Sequence, residues 1–378
     1  MNNLHKSLCT ILIIVVVFST SYAQDAGGGF NLAAKHTGIG FGNSKKFNGV
    51  RFNYRDKNVE KINGMNLTLW IPYEKANMGI VNGLAVGLPL SGANQINGIS
   101  VGIFGIAAEK NLNGINLGGL GVGAGGNVRG INLGGLGLGA GRDVVGLNIG
   151  GLGIGAGDDL KGINLSGLGM GAGDEVVGLN LAGLGLGSGG DLKGINIAGM
   201  GIGSGATMTG LQVAGIGMGA GENIRGINLA GIAIGAGENI TGLNVAGIAL
   251  GAGGNVTGIN LAGVALGAGE RLAGLNVAGI ALGSEKVVGI NIAPVVGGRN
   301  VSGLSLAGFY FKVQEEGRMR GLSVSAFNHI RGEQHGVTIG VFNYARKLKG
   351  LQIGILNYVK ENPLLLRLLP LVNFGAKD

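Results

Sequence analysis

The 378 residues include 84 glycines, only 5 prolines and 13% charged residues, with a formal net charge of +8. An apolar fraction of 46% excludes a disordered chain, which would be polar and highly charged, and the lack of proline and of a glycine at every third position excludes collagen. Basic residues are thinly spread, with modest clusters only at Lys45-Lys46 and Arg346-Lys347-Lys349, so the focused basic face of a nucleic-acid reader is missing.

In chain order, the first predicted element is an export signal over residues 1–23. His5 and Lys6 precede an apolar run from Leu8 to Phe18, and Ser21 and Ala23 are small residues at the −3 and −1 positions of a cleavage before Gln24. That run is about 11 residues, where a bilayer span needs roughly 20. Secretion is the reading, with an uncleaved anchor as its alternative. Cys9 is the sole cysteine and lies inside the signal, so the processed chain, at +7 without Lys6, has no disulfide and no thiolate metal site.

Residues 24–97 are predicted to form an N-terminal cap with irregular repeats starting near Gly49, Gly64 and Gly83, carrying Phe41, Phe47, Phe52, Tyr54, Trp70 and Tyr73. Residues 98–288 are the regular array, in which Gly114, Gly130, Gly146 and their successors to Gly274 recur every 16 residues. Numbered from its first glycine, with Gly114–Arg129 as the type, the unit is aliphatic at positions 2 and 4 (Ile115, Leu117), 7 and 9 (Leu120, Val122) and 15 (Val128), and small at 11 (Ala124). Alternation with period two predicts strand. Helix is excluded, since glycine at nearly every second position would cost about 1 kcal/mol each.

Positions 2 and 4 are out of phase with 7 and 9, which requires a break between them. Position 5 is small and position 6 glycine (Gly118-Gly119, Ser166-Gly167), with Pro294 replacing that glycine after Gly289. Such a pair suits a corner or bulge. A second corner through positions 12–16 carries Asn, Asp or Glu at 14, as in Asn127, Asp143 and Glu175. The expectation is an all-β, parallel β-solenoid of 16-residue coils with every aliphatic position inside. The alternative is an up-and-down antiparallel β-barrel of the outer membrane. It is suggested by a 32-residue superperiod: position 2 is Ile after Arg129 and Lys161 but Leu after Val145 and Val177. Tilted strands of about 12 residues can cross a bilayer, but the regular units contain no aromatic girdle and no long loop.

Residues 289–378 continue as irregular, aromatic-rich repeats from Gly289, Gly303, Gly321, Gly336 and Gly350 to a C-terminal cap, where Asn362-Pro363 stops the pattern before the apolar finish Leu364 to Leu371. The larger side chains at both ends are expected to close the core and blunt the exposed strand edges.

Position 3 is Asn in almost every unit: Asn116, Asn132, Asn148, Asn164, Asn180, Asn196, Asn228, Asn244, Asn260, Asn276 and Asn291, with Gln212 once. Lying between two inward residues, these should face outward as a ladder, either purely structural through stacked amides or a recognition surface for glycan, mineral or ice. The many Gly-x-Gly-x-x-Gly matches are by-products of the repeat, without the strand–loop–helix setting that nucleotide binding requires. His329, Glu333 and His335 form the one cluster of catalytic or metal-ligand types, at a spacing that reads as a polar turn. No catalytic, cofactor-binding or metal-ligating residue is assigned, and no cofactor is expected.

The unit Gly-Ile-Asn-Leu-Gly-Gly-Leu-Gly-Val-Gly-Ala-Gly from Gly114 resembles that of a family of exported bacterial surface-repeat proteins, as do the endings Ser323–His335, Gly350–Tyr358 and Leu369–Phe374. The resemblance implies export and a surface or envelope setting, and transfers no activity. The sequence therefore reads as a non-catalytic, exported surface or envelope protein, a structural or adhesive scaffold, with the integral outer-membrane barrel as alternative. A carbohydrate-active β-helix enzyme would need acids clustered on one face, which the sequence lacks. Candidate partners are an envelope component, a glycan or another protein, not nucleic acid or nucleotide. The cell surface, outer membrane or periplasm is the expected location.

Overall fold

The computed structural model describes residues 29–34, 37–72 and 79–375. The predicted export signal and Tyr73 lie outside them. The chain is an all-β, parallel β-solenoid of about 15 coils with repeats of about 16 residues. It divides into two compact units, Met1–Gly183 and Leu184–Asp378, and the coil has the same form in each.

One coil of the first unit shows the plan. The chain runs as strand Val128–Gly134, bends through Gly135-Leu136, returns as Gly137–Ala140 and bends again through Gly141-Arg142. It is then back where it began, one layer on and pointing the same way. Val128–Gly134 pairs in parallel with Val144–Gly150, with Gly130 opposite Gly146 and Asn132 opposite Asn148. Gly137–Ala140 pairs in parallel with Gly153–Ala156. In the second unit, Leu192–Ala198 stacks on Met208–Ala214 and Gly201–Ser204 on Gly217–Ala220 in the same manner. The antiparallel barrel is thereby overturned, because it would require neighbouring units to run in opposite directions. The first corner falls one residue later than expected, at positions 6 and 7 rather than 5 and 6.

A larger correction concerns which side chains face in. Positions 2, 4 and 7 were expected inside, yet Ile131, Leu133 and Leu136 are exposed, while Asn132 is fully buried. The reason is where the strand starts. It begins at position 15 and alternates without interruption to position 5, so the inward side chain at 15 puts 3 and 5 inside and turns 2 and 4 out.

Glycine at position 1 keeps this strand closely stacked. Gly146 has φ +123°, and a Cβ there would lie 2.0 Å from the Gly130 carbonyl oxygen of the preceding coil. Any side chain would push the coils apart. The core is accordingly thin: the position-15 row (Val128, Val144, Leu160) and the position-9 row (Leu138, Ile154, Met170) supply its aliphatic content.

Each end carries an antiparallel pairing. Gly29–Ala34 folds against Thr37–Gly42, and Leu368–Phe374 lies on Leu351–Tyr358 with a bulge between Gly354 and Leu356. The terminal coils are aromatic-rich, but among the described residues their rings close the core only at Phe47 and Phe311, which are buried. Phe41, Phe52, Tyr54, Trp70 and Phe309 stand on the outer surface instead. In the first unit the interior ends on a buried polar group. Arg51 Nη1 meets Asp56 Oδ1 at 2.5 Å, and Asn66 and Thr68 donate to the other carboxylate oxygen.

Candidate functional site

All eleven asparagines of the predicted ladder (Asn116, Asn132, Asn148, Asn164, Asn180, Asn196, Asn228, Asn244, Asn260, Asn276 and Asn291) are inside, at 0% exposure. The outward assignment is therefore corrected. In the first unit Nδ2 of Asn116 donates to Oδ1 of Asn132 at 2.6 Å, and the relay continues through Asn148 and Asn164 to Asn180 at 2.7 Å per step. In the second unit it runs from Asn228 through Asn244, Asn260 and Asn276 to Asn291 at 2.8–2.9 Å. A planar amide that donates to one neighbour and accepts from the other is satisfied without water, which is what burial of a polar group demands. The ladder holds coils in register and presents nothing to a ligand. Gln212 interrupts it: its extra methylene leaves both amide atoms buried without a partner.

What the coils do present is aliphatic. Position 7 is an outward row in each unit, from Leu120 through Leu168 in the first and from Leu184 through Ile280 in the second, with exposures from 37% at Val264 to 56% at Ile280. Ile at position 2 adds outward residues within each unit, Ile131 and Ile163 in the first and Ile195, Ile227 and Ile259 in the second. Between rows 4 and 7 of the first unit runs an apolar trough of about 500 Å³, lined by Leu117, Leu133 and Ile149 above Gly119, Gly135 and Gly151. From Gly114 to Ala273 every charged residue falls at positions 13, 14 or 16, on the polar corner. Contiguous apolar surface of this extent marks an interaction site on a folded protein.

Past row 7 the outward side chains at positions 8 and 10 are glycine or alanine in the regular coils. A Cβ at Gly123, Gly155, Gly203 or Gly235 would meet nothing within 4 Å. These glycines leave the sheet face bare.

The C-terminal coils fill that face. The rings of Phe327 and His329 stack at 5.4 Å, His329 meets Tyr344 edge-on at 5.2 Å, and Tyr344 stacks on Tyr358 at 5.5 Å. Tyr310 Oη lies 2.8 Å from His329 Nδ1. Partial burial, with Arg331 and Lys312 nearby, holds the His329 imidazole below its ordinary pKa. The sequence cluster is thus taken apart: His329 belongs to the aromatic row, whereas Glu333 binds His335 at 2.9 Å and Arg318 at 3.3 Å. Among the described residues no three His, Cys, Asp or Glu side chains converge as a metal site would require.

The aliphatic rows expected inside stand on the outer surface. The signal was present, because Val128 at position 15 begins the same strand and sets its phase. No protein-family model, curated protein or solved structure matches the chain.

Proposed function

We propose that this protein is a non-catalytic, exported scaffold of the cell surface or envelope, and that it works by contact along its outward aliphatic rows. The observation that carries the reading is the unbroken position-7 row in each unit, exposed and uncharged, with the charged residues of the regular coils gathered on another corner. A soluble protein with no apolar partner has no reason to expose leucine or isoleucine at the same point of every coil. The leader ending at Ala23 supports export, and the resemblance of the repeat to surface-repeat proteins supports the setting.

Fractionation of expressing cells tests it. The expected result is a chain beginning at Gln24 in the envelope or surface fraction, with a Leu136→Ser/Leu152→Ser variant that keeps its β-sheet circular dichroism but is released from that fraction. An unprocessed chain recovered from the cytosol would overturn the reading, as would a variant retained like the parent.

A further inference from the structure

In the coils between Gly303 and Val359 the outward surface changes character in a fixed order around each coil. The first rows stay aliphatic, with Leu306, Ile339 and Ile353 exposed. At the corner the aliphatic residue becomes Phe309, Phe327 or Phe342. Next comes the row of Tyr310, His329, Tyr344 and Tyr358, whose rings follow one another at 5.2–6.2 Å. Two residues further on in each coil stands a cation: Lys312, Arg331, Arg346 and Lys360. An apolar trough of about 440 Å³ runs beside these rows over Ile292, Leu306 and Val324. Between Arg299 and Arg367 there are ten Lys and Arg against four Glu, a net +6 of the chain's +8.

Aliphatic, then aromatic, then cationic is the order met on leaving the hydrocarbon of a bilayer through its interface to the phosphates. Apolar chains enter the acyl region, Tyr sits at headgroup level, and Lys or Arg reaches anionic lipid. The aliphatic rows also tolerate exchange: position 7 is Met200, Ile216 or Val264 in successive parts of the second unit. A folded partner would require matched shapes, whereas a fluid one requires only apolarity. We propose that this face of the second unit docks on the surface of a bilayer containing anionic lipids, its aliphatic and aromatic rows entering the interface and its cations meeting lipid phosphates. Arg331 and Arg346 are paired with Glu315 and Glu361, so Lys312 and Lys360 are the members of that row with no ion pair among the described residues. The inference rests on the scaffold reading and supplies its partner.

Flotation of the purified full chain tests it, with vesicles of phosphatidylcholine alone and of phosphatidylcholine mixed with phosphatidylglycerol. Binding is expected to the mixed vesicles, lost at high salt. Lys312→Ser/Lys360→Ser should weaken it roughly 30-fold, at about one surface charge of attraction per lysine. Phe309→Ser, at a side chain exposed by 72% and so free of a role in the core, should weaken it about tenfold. Circular dichroism confirms that the variants fold. Failure of the chain to float with mixed vesicles at low salt would overturn the proposal, as would equal binding to both vesicles with no effect of the lysine pair. Sedimentation without lipid supplies the rival outcome: a dimer dissolved by Phe309→Ser would make the occupant a second copy of the chain. That result would leave the scaffold reading intact, whereas a cytosolic, unprocessed chain would remove the scaffold reading whatever the vesicles show.

Discussion

At the scale of the residue, glycine does two opposite jobs in one coil, and a methyl group separates them. At Gly146 φ is +123° and a Cβ would lie 2.0 Å from a backbone oxygen, so Gly146→Ala should cost about 3 kcal/mol or more, combining left-handed strain with overpacking. At Gly123 there is open space and no positive φ, so Gly123→Ala should stabilise by about 0.5–1 kcal/mol through lost freedom of the unfolded chain. Urea midpoints of the two variants check the contrast, and equal shifts would refute it. The amide ladder makes a second residue-scale prediction. Gln212 is the wrong length for the row, with both side-chain polar atoms buried and unpartnered. Gln212→Asn should restore the relay and raise stability by about 1–2 kcal/mol, net of the ~0.8 kcal/mol lost with a buried methylene. A variant less stable than the parent would mean that the row relaxes around glutamine. The residue types of this ladder were plain in the sequence. Their orientation was not, because an asparagine bonded to its counterpart one coil away lies next to that partner only after the coils have stacked.

At the scale of the element, the strand from position 15 to position 5 decides the surface of the protein. A strand read as starting at the glycine places Ile and Leu in the core. The same strand read from Val128 places them outside and buries Asn132. Nothing in the short segment Gly130–Leu133 distinguishes these readings, since both alternate perfectly. The terminal coils show a second element-scale device, a buried charge in place of an aromatic plug. Burial alone would push the Asp56 carboxyl up, but the Arg51 guanidinium and hydrogen bonds from Asn53, Thr68 and Asn66 outweigh it and hold the group below its ordinary 3.8. A carboxylate depressed in the folded state contributes stability that is complete above its unfolded pKa and is lost as pH falls through the folded one. Unfolding midpoints of the parent should therefore be flat from neutrality to about pH 4 and fall below it. Asp56→Asn should lack that component and cost about 3–5 kcal/mol at neutral pH, because Arg51 would stay buried without its counter-charge. A neutral-pH loss below 1 kcal/mol would show that Arg51 swings out to solvent.

At the scale of the whole molecule, stability is a sum of coils and of the interfaces between neighbours, as in other stacked repeats. The regular coils around Val144–Gly150 find their partners 16 residues away in both directions. Excision of residues 130–161, two whole coils, joins Arg129 to Gly162 and preserves glycine over glycine and asparagine over asparagine. That variant should fold with the circular dichroism per residue of the parent. Excision of residues 130–153, one and a half coils, joins a long strand to a short one out of phase and should not fold cooperatively. If both fold equally well, the register argument fails.

The sequence by itself determined the repeat length, the all-β character and the place of the first corner to within a residue. These are local matters: glycine, proline and period-two alternation act on the backbone within a few bonds. Only the tertiary structure decided the inside and the outside. Which face of a strand is buried depends on the coil above and the coil below, and there the buried aliphatic at position 15 sets the phase that turns the asparagine in and the branched side chains beside it out.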